Sequence, residues 1–208
     1  FVITSEARVV AAGAAVSEAH KLADYLAPAM GLRLGVTEGT EPREGAITLR
    51  IDETATGLGD EGYRLEVTPK RIVMIAARPA GLFHGIQTLR QLLPPDIFRR
   101  AAVPDARWAV PCVEIVDYPR FQWRGLMLET VYHFLPKSFI LKSIDTMSLH
   151  KFSVLHLHLT DDQGWRIEIR KYPKLTEIGG WRDETVIEPV DRGGVLKYDG
   201  RPHGGFYT

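Results

Sequence analysis

Along residues 14–30 the apolar positions Ala19, Leu22, Ala23, Leu26 and Met30 recur at helical spacing, and Gly31 follows where a C-terminal cap belongs. An amphipathic helix is predicted there. The period then changes. "GAITLRID" alternates Ile47, Leu49 and Ile51 against polar neighbours, and "YRLEV" and "RIVMIAA" flank Thr68-Pro69-Lys70, which predicts a hairpin. Such alternation predicts a sheet with one face on the core and one in water. In "GLFHGIQTLRQLL" a second helical stripe runs through Leu82, Ile86, Leu89 and Leu93 until Pro94-Pro95 stops it. Residues 1–117 are thus predicted to form a small α+β domain, an antiparallel sheet with helices.

The pattern shifts at "DYPRFQW", Asp117 to Trp123, and the domain boundary is placed there, so that residues 118–208 form a second domain. "GLML", Gly125 to Leu128, is a continuous apolar run suited to a strand buried on both faces. Ile140, Ile144 and Met147 mark a helix opening near Pro136 or Ser138, and "VLHLHLT" closes the unit as a second strand. Strand, helix, strand predicts the β-α-β arrangement of a parallel sheet or barrel. Alternation sorts the second strand by face: Leu155, Leu157 and Leu159 toward the helix, His156, His158 and Thr160 toward the other side. In a barrel that side is the interior, with Asp161 and Asp162 at the C-terminal rim where barrel chemistry sits.

Composition narrows the choice of ligand. Lysine plus arginine and aspartate plus glutamate are equal at 26 each, so no net field draws the chain to nucleic acid or anionic lipid. A small or neutral ligand is the better expectation. No apolar run reaches the roughly 18 residues of a membrane span. The single cysteine, Cys112, has no partner for a disulfide or thiolate metal site and is expected to be a small buried residue. The first residue is Phe1 rather than methionine, which allows for an upstream signal peptide. The compartment stays open on these residues, with the periplasm or the exterior favoured.

The densest chemistry lies in "HLHLTDDQGWRIEI", His156 to Ile169. His156 and His158 at i, i+2 could present imidazoles to a divalent ion, or could be hydrogen-bonded interior residues; no third ligand is recognisable downstream. Asp161-Asp162 either orient a catalytic group or end the strand and cap a turn. Trp165 is either a platform for the CH face of a sugar or a packing anchor.

Longer stretches resolve these alternatives. "PRFQWRGLMLE", "HLHLTDDQGWRIEIRKYPKLTEIGGWR" and "GGFYT" resemble, in order and spacing, the glycoside hydrolase family 20 β-N-acetylhexosaminidases, and "DEGYRLEV", "AGLFHGIQTLRQLL" and "RWAVPCVEIVDYPRF" are similar to the small domain preceding that family's catalytic barrel. The resemblance implies the first β-α-β part of a TIM (β/α)8 barrel, a ligand that is an N-acetylhexosamine-containing glycan, and no cofactor or metal. It implies retaining hydrolysis in which the substrate's own 2-acetamido oxygen attacks the anomeric carbon while a glutamic acid protonates the departing oxygen. Asp161 matches the aspartate that joins a histidine and that acid in a relay. Glu129, Tyr132, His158, Asp162 and Trp165 fall where the family lines its sugar site.

Two departures stand out. Glu129 replaces an aspartate, and Tyr132 stands where an arginine grips the sugar's outer hydroxyls, so a single hydroxyl replaces a charged fork of donors. The family's acid glutamate, the aspartate before it and the relay histidine lie downstream of the last motif here, so the 208 residues alone are expected to be inactive and to need the remaining barrel. A sugar-binding or interaction protein on a degenerate scaffold is the alternative, and a metal-dependent barrel hydrolase using His156 and His158 the third.

Overall fold

Val9 and Ala11 turn to the core from strand β1 (Arg8–Ala11), and helix α1 (Val16–Met30) then lays Ala19, Leu22, Ala23 and Leu26 against the same side. Gly31 ends that helix in the left-handed region, φ 69°, with its N–H on Ala27 O at 2.9 Å. A Cβ there would be strained, which is why glycine serves as the cap. Strands β2 (Gly35–Glu38), β3 (Ala46–Ile51), β4 (Tyr63–Val67) and β5 (Ile72–Ala76) follow, then helix α2 (Pro79–Leu92) and strand β6 (Val113–Asp117). Leu82, Ile86, Leu89 and Leu93 are buried as their spacing predicts. The computed structural model describes residues 1–188 and 196–208, and the chain divides into two units, Phe1–Gln122 with Leu149–Lys151, and Trp123–Ser148 with Phe152–Thr208.

The sheet order is β2-β1-β3-β5-β4-β6. Strand β1 is parallel to β2 and β3, and β3 to β5, whereas β4 runs antiparallel to β5 and β6. The sheet is therefore mixed, not antiparallel as its alternation suggested. Alternation marks a half-buried strand but carries no direction. Direction follows the connections: α1 carries the chain back so that β2 lies parallel to β1, which a tight turn cannot do. The β4–β5 turn, closed by Thr68 N–H on Arg71 O at 2.9 Å, is the expected hairpin. The wet face is confined to the margins, where Thr37, Arg64 and Glu114 are exposed, while Val10, Thr48 and Val73 are buried on that face in the central strands. Cys112 is exposed rather than buried, because it sits just before the edge strand β6.

A polar knot closes the first unit. Lys151 Nζ donates to Asp117 Oδ2 at 2.6 Å and to Tyr63 Oη at 2.9 Å, and the Tyr63 hydroxyl lies 2.5 Å from Thr88 Oγ1. Desolvation works to raise the Asp117 carboxyl, but the Lys151 ammonium and the Tyr63 hydroxyl outweigh it and hold the pKa below its usual value. A depressed carboxylate contributes stability that is present above its unfolded pKa of about 4 and lost as pH falls through the folded value. Asp117→Asn should therefore flatten the acid limb of the melting temperature against pH, followed by calorimetry between about pH 2 and 5. An unaltered limb would assign acid lability to other carboxylates.

In the second unit β7 (Gly125–Glu129), α3 (Lys137–Leu149) and β8 (Val154–His158) form a parallel β-α-β unit, with Met127 opposite His156 and Glu129 opposite His158. Helix α3 opens after Pro136, whose carbonyl takes the Phe139 N–H at 2.9 Å, and it buries Ile140 and Met147. Ile144, expected on the same stripe, is exposed. A hairpin of β9 (Thr160–Asp161) and β10 (Gly164–Trp165) turns through Asp162-Gln163, followed by α4 (Lys174–Glu177). Strands β11 (Trp181–Arg182), β12 (Val186–Glu188), β13 (Lys197–Tyr198) and β14 (His203–Gly204) pair as β11 with β14 and β12 with β13, both antiparallel. In "GGFYT" Gly204 ends β14 and Tyr207 forms a parallel bridge with Ile167. Among the described residues no helix is long and apolar enough to cross a membrane.

Candidate active site

The parallel register of β7 and β8 sets Glu129 beside His158 at the carboxyl ends of both strands. Glu129 Oε2 pairs with His158 Nδ1, and His158 Nε2 lies 3.4 Å from Asp161 Oδ2. A carboxylate, an imidazole and a second carboxylate thus stand in line. The other Glu129 oxygen accepts N–H groups from Val131 at 2.6 Å and Tyr132 at 3.4 Å, which fixes the carboxylate to the turn that carries Tyr132. Desolvation raises the Glu129 pKa, but the Val131 N–H and His158 outweigh it and the net displacement is downward. The hydrogen bond to Glu129 is the main reason that His158 titrates above an ordinary imidazole, with Asp161 adding a smaller push in the same direction. Below its raised pKa His158 is a cation between two anions, and both its nitrogens face carboxylates. Neither nitrogen is then offered to a metal, and among the described residues no metal-holding group of three or more His, Cys, Asp or Glu occurs.

The remaining sequence candidates scatter around this array. His156 shares its face but is exposed, opposite Met127. Asp162 begins the hairpin turn, its N–H on Asp161 Oδ1 at 2.8 Å. Trp165 donates its indole N–H to Ile167 O at 2.7 Å, so the ring is pinned to its own chain. Tyr132 is 51% exposed.

Two arginines for which no role is legible in the sequence hold these segments together. Arg166, only 1% exposed, donates to the carbonyls of Thr130 at 3.1 Å, Val131 at 2.7 Å, Gly180 at 2.6 Å and Gly205 at 3.2 Å. Arg182 donates to Tyr132 O at 2.5 Å, Gln163 O at 3.2 Å and Thr185 Oγ1 at 3.0 Å. His203 Nε2 accepts the Phe134 N–H at 2.9 Å, and desolvation together with the nearby Arg182, His133 and Arg166 lowers its pKa, so it stays neutral as that acceptor needs. Both arginines lie inside the quoted motif, but spacing says nothing of partners so distant in the chain.

Acid–base groups gathered at the carboxyl ends of parallel strands define the α/β class of enzyme sites. Comparison with known proteins narrows that class. The family model "Glycosyl hydrolase family 20, domain 2" matches residues 1–118, and "Glycosyl hydrolase family 20, catalytic domain" matches residues 121–208. The chain belongs to glycosyl hydrolase family 20. It is 41% identical over 192 residues to a β-hexosaminidase of Porphyromonas gingivalis, covering 91% of this chain and 22% of that protein. Among solved structures it is similar to the family 20 β-N-acetylhexosaminidase of Streptomyces coelicolor, at 37% identity and a TM-score of 0.80 over all of this chain and 38% of the other. A mutant β-hexosaminidase of Streptomyces plicatus in complex with its product GlcNAc gives 39% identity and a TM-score of 0.79, again over 100% and 38%. The chain therefore spans well under half the length of these relatives.

Proposed function

We propose that these residues are the N-terminal part of a β-N-acetylhexosaminidase-like glycoside hydrolase that removes terminal N-acetylhexosamine from glycans or chitooligosaccharides by substrate-assisted, retaining catalysis. The Glu129–His158–Asp161 array at the strand ends carries the reading. Asp161 supplies the fixed negative charge that sets the protonation of an acid glutamate lying in a part of the barrel outside these 208 residues, as a charged neighbour can. Glu129 holds His158 charged and His158 steadies Asp161, so this pair positions the relay, while Tyr132 and Asp162 face the sugar. The β-α-β unit is the start of the barrel, and residues 1–117 precede it as the smaller domain. A periplasmic or secreted location suits polymeric glycan substrates.

The direct test is hydrolysis of a chromogenic N-acetylglucosaminide by the full-length gene product beside the chain 1–208. Turnover by the first and none by the second is expected, since general acid catalysis typically supplies about 10² to 10⁴-fold. Sugar binding without turnover by the full-length protein would instead mark a degenerate binding scaffold. Tyr132 tests how the sugar is held. Tyr132→Arg should tighten binding of N-acetylglucosamine by about 1 to 3 kcal/mol, the value of a charge-assisted hydrogen bond. Weaker binding, measured by calorimetric titration, would show a pocket built around the phenol.

A further inference from the structure

Residues 203–207 fasten the loop that follows β7 and carries Tyr132. Tyr207 Oη donates to Leu135 O at 2.6 Å, and its ring lies 4.9 Å from that of Phe134. Gly205, at φ 145°, seats the Phe134 ring where any Cβ would collide with it. His203 Nε2 accepts the Phe134 N–H at 2.9 Å. Of these contacts, this is the one that a proton can break. An imidazole nitrogen accepts only while it carries no hydrogen, and the imidazolium is a donor at both nitrogens.

Desolvation is the first obstacle to a charge on His203. Arg182 in β11 adds to it, then His133, whose ring lies 5.0 Å away in the loop itself, and Arg166 just after β10, while Asp199 alone among these neighbours favours the cation. Both arginines are committed to the loop, Arg182 to Tyr132 O and Arg166 to Val131 O, so neither can swing away without letting go of it. A proton on His203 therefore sets a donor against the Phe134 N–H and a third positive charge beside two that must stay. The direction in pH follows. Attachment is complete above an ordinary imidazole pKa of about 6.5 and is lost as pH falls through the lowered value in the folded chain.

We propose that His203 is a positioning residue for the sugar site: neutral, it holds the loop that presents Tyr132, and protonated, it frees that loop and weakens sugar binding. It acts through the loop backbone, not on the sugar. The inference rests on the glycosidase reading above and deepens it with a pH control of substrate affinity.

The test is KM and kcat of the full-length protein for an aryl N-acetylglucosaminide between about pH 4.5 and 7.5, the range that brackets an imidazole. KM is expected to rise about tenfold toward the acid end, separately from any acid limb of kcat. His203→Leu should raise KM about tenfold at neutral pH, and His203→Gln, whose amide oxygen accepts the same N–H without titrating, should recover most of the affinity and hold it flat with pH. An acid rise in KM that persists in His203→Gln, or a wild-type KM in His203→Leu, overturns the proposal; should the leucine variant fail to fold, the comparison of wild type with His203→Gln decides. Hydrogen exchange at the Phe134 amide reads the loop without turnover: wild type should lose protection on acidification relative to His203→Gln at the same pH, and equal protection overturns the proposal. If the wild type hydrolyses no N-acetylglucosaminide the glycosidase reading fails, and calorimetric titration of N-acetylglucosamine over the same pH range then decides the role of His203. Affinity that falls with acid in the wild type but not in His203→Gln supports it, and parallel behaviour, or no binding to the wild type, overturns it.

Discussion

Arg166→Met is expected to destabilise the second unit by about 3 to 5 kcal/mol, the largest effect of any single substitution considered for this chain. The guanidinium serves four carbonyls, from Thr130, Val131, Gly180 and Gly205; Gly180 O also accepts the Gly205 N–H at 3.0 Å, and methionine would take the Arg166 donor from the other three. An unsatisfied buried acceptor costs about 1 to 3 kcal/mol, and partial collapse or entry of water keeps the total below the simple sum. Arg166→Lys should recover only part of the loss, since one ammonium cannot reproduce a planar fork. Hydrogen exchange across residues 123–208 is the measurement. Protection equal to wild type at the amides of residues 130–133 and 180–182 would show that the carbonyls find other donors.

In the full-length protein Asp161→Asn is expected to lower kcat by about 10²-fold and to distort the pH–rate profile, with the fold intact. Asparagine keeps the size and the place in the β9–β10 hairpin but removes the charge 3.4 Å from His158 Nε2. The His158 pKa should fall in this variant yet stay raised, because the hydrogen bond to Glu129 is the larger cause. The sign is definite: stabilisation from the His158 pairs is fully present below the ordinary imidazole pKa and is lost as pH rises through the raised one. NMR titration of the imidazole reports that shift and steady-state kinetics the rest. An unchanged pH–rate profile would reduce Asp161 to a residue that closes a hairpin.

Much of this was written locally. The stripes through Leu22 and Leu26 and through Leu82, Ile86 and Leu89 became buried helix faces, and Ile72–Ala76 became half of the expected hairpin. A period of 3.6 or 2 is a property of consecutive residues, so it can be read without knowing what the face will meet. The same holds for the candidate site: alternation put His156 and His158 on one face, and the motif named Asp161, Glu129 and Tyr132 as neighbours. Only the tertiary structure decided that the sheet is mixed, that Ile144 and Cys112 are exposed, and that Glu129 grips His158. It alone decided that Arg166 reaches back 36 residues to Thr130 and Arg182 reaches back 50 to Tyr132. Such partners are chosen by strand direction and loop closure, and an arginine that ends on backbone carbonyls leaves no matching charge in the sequence to reveal it.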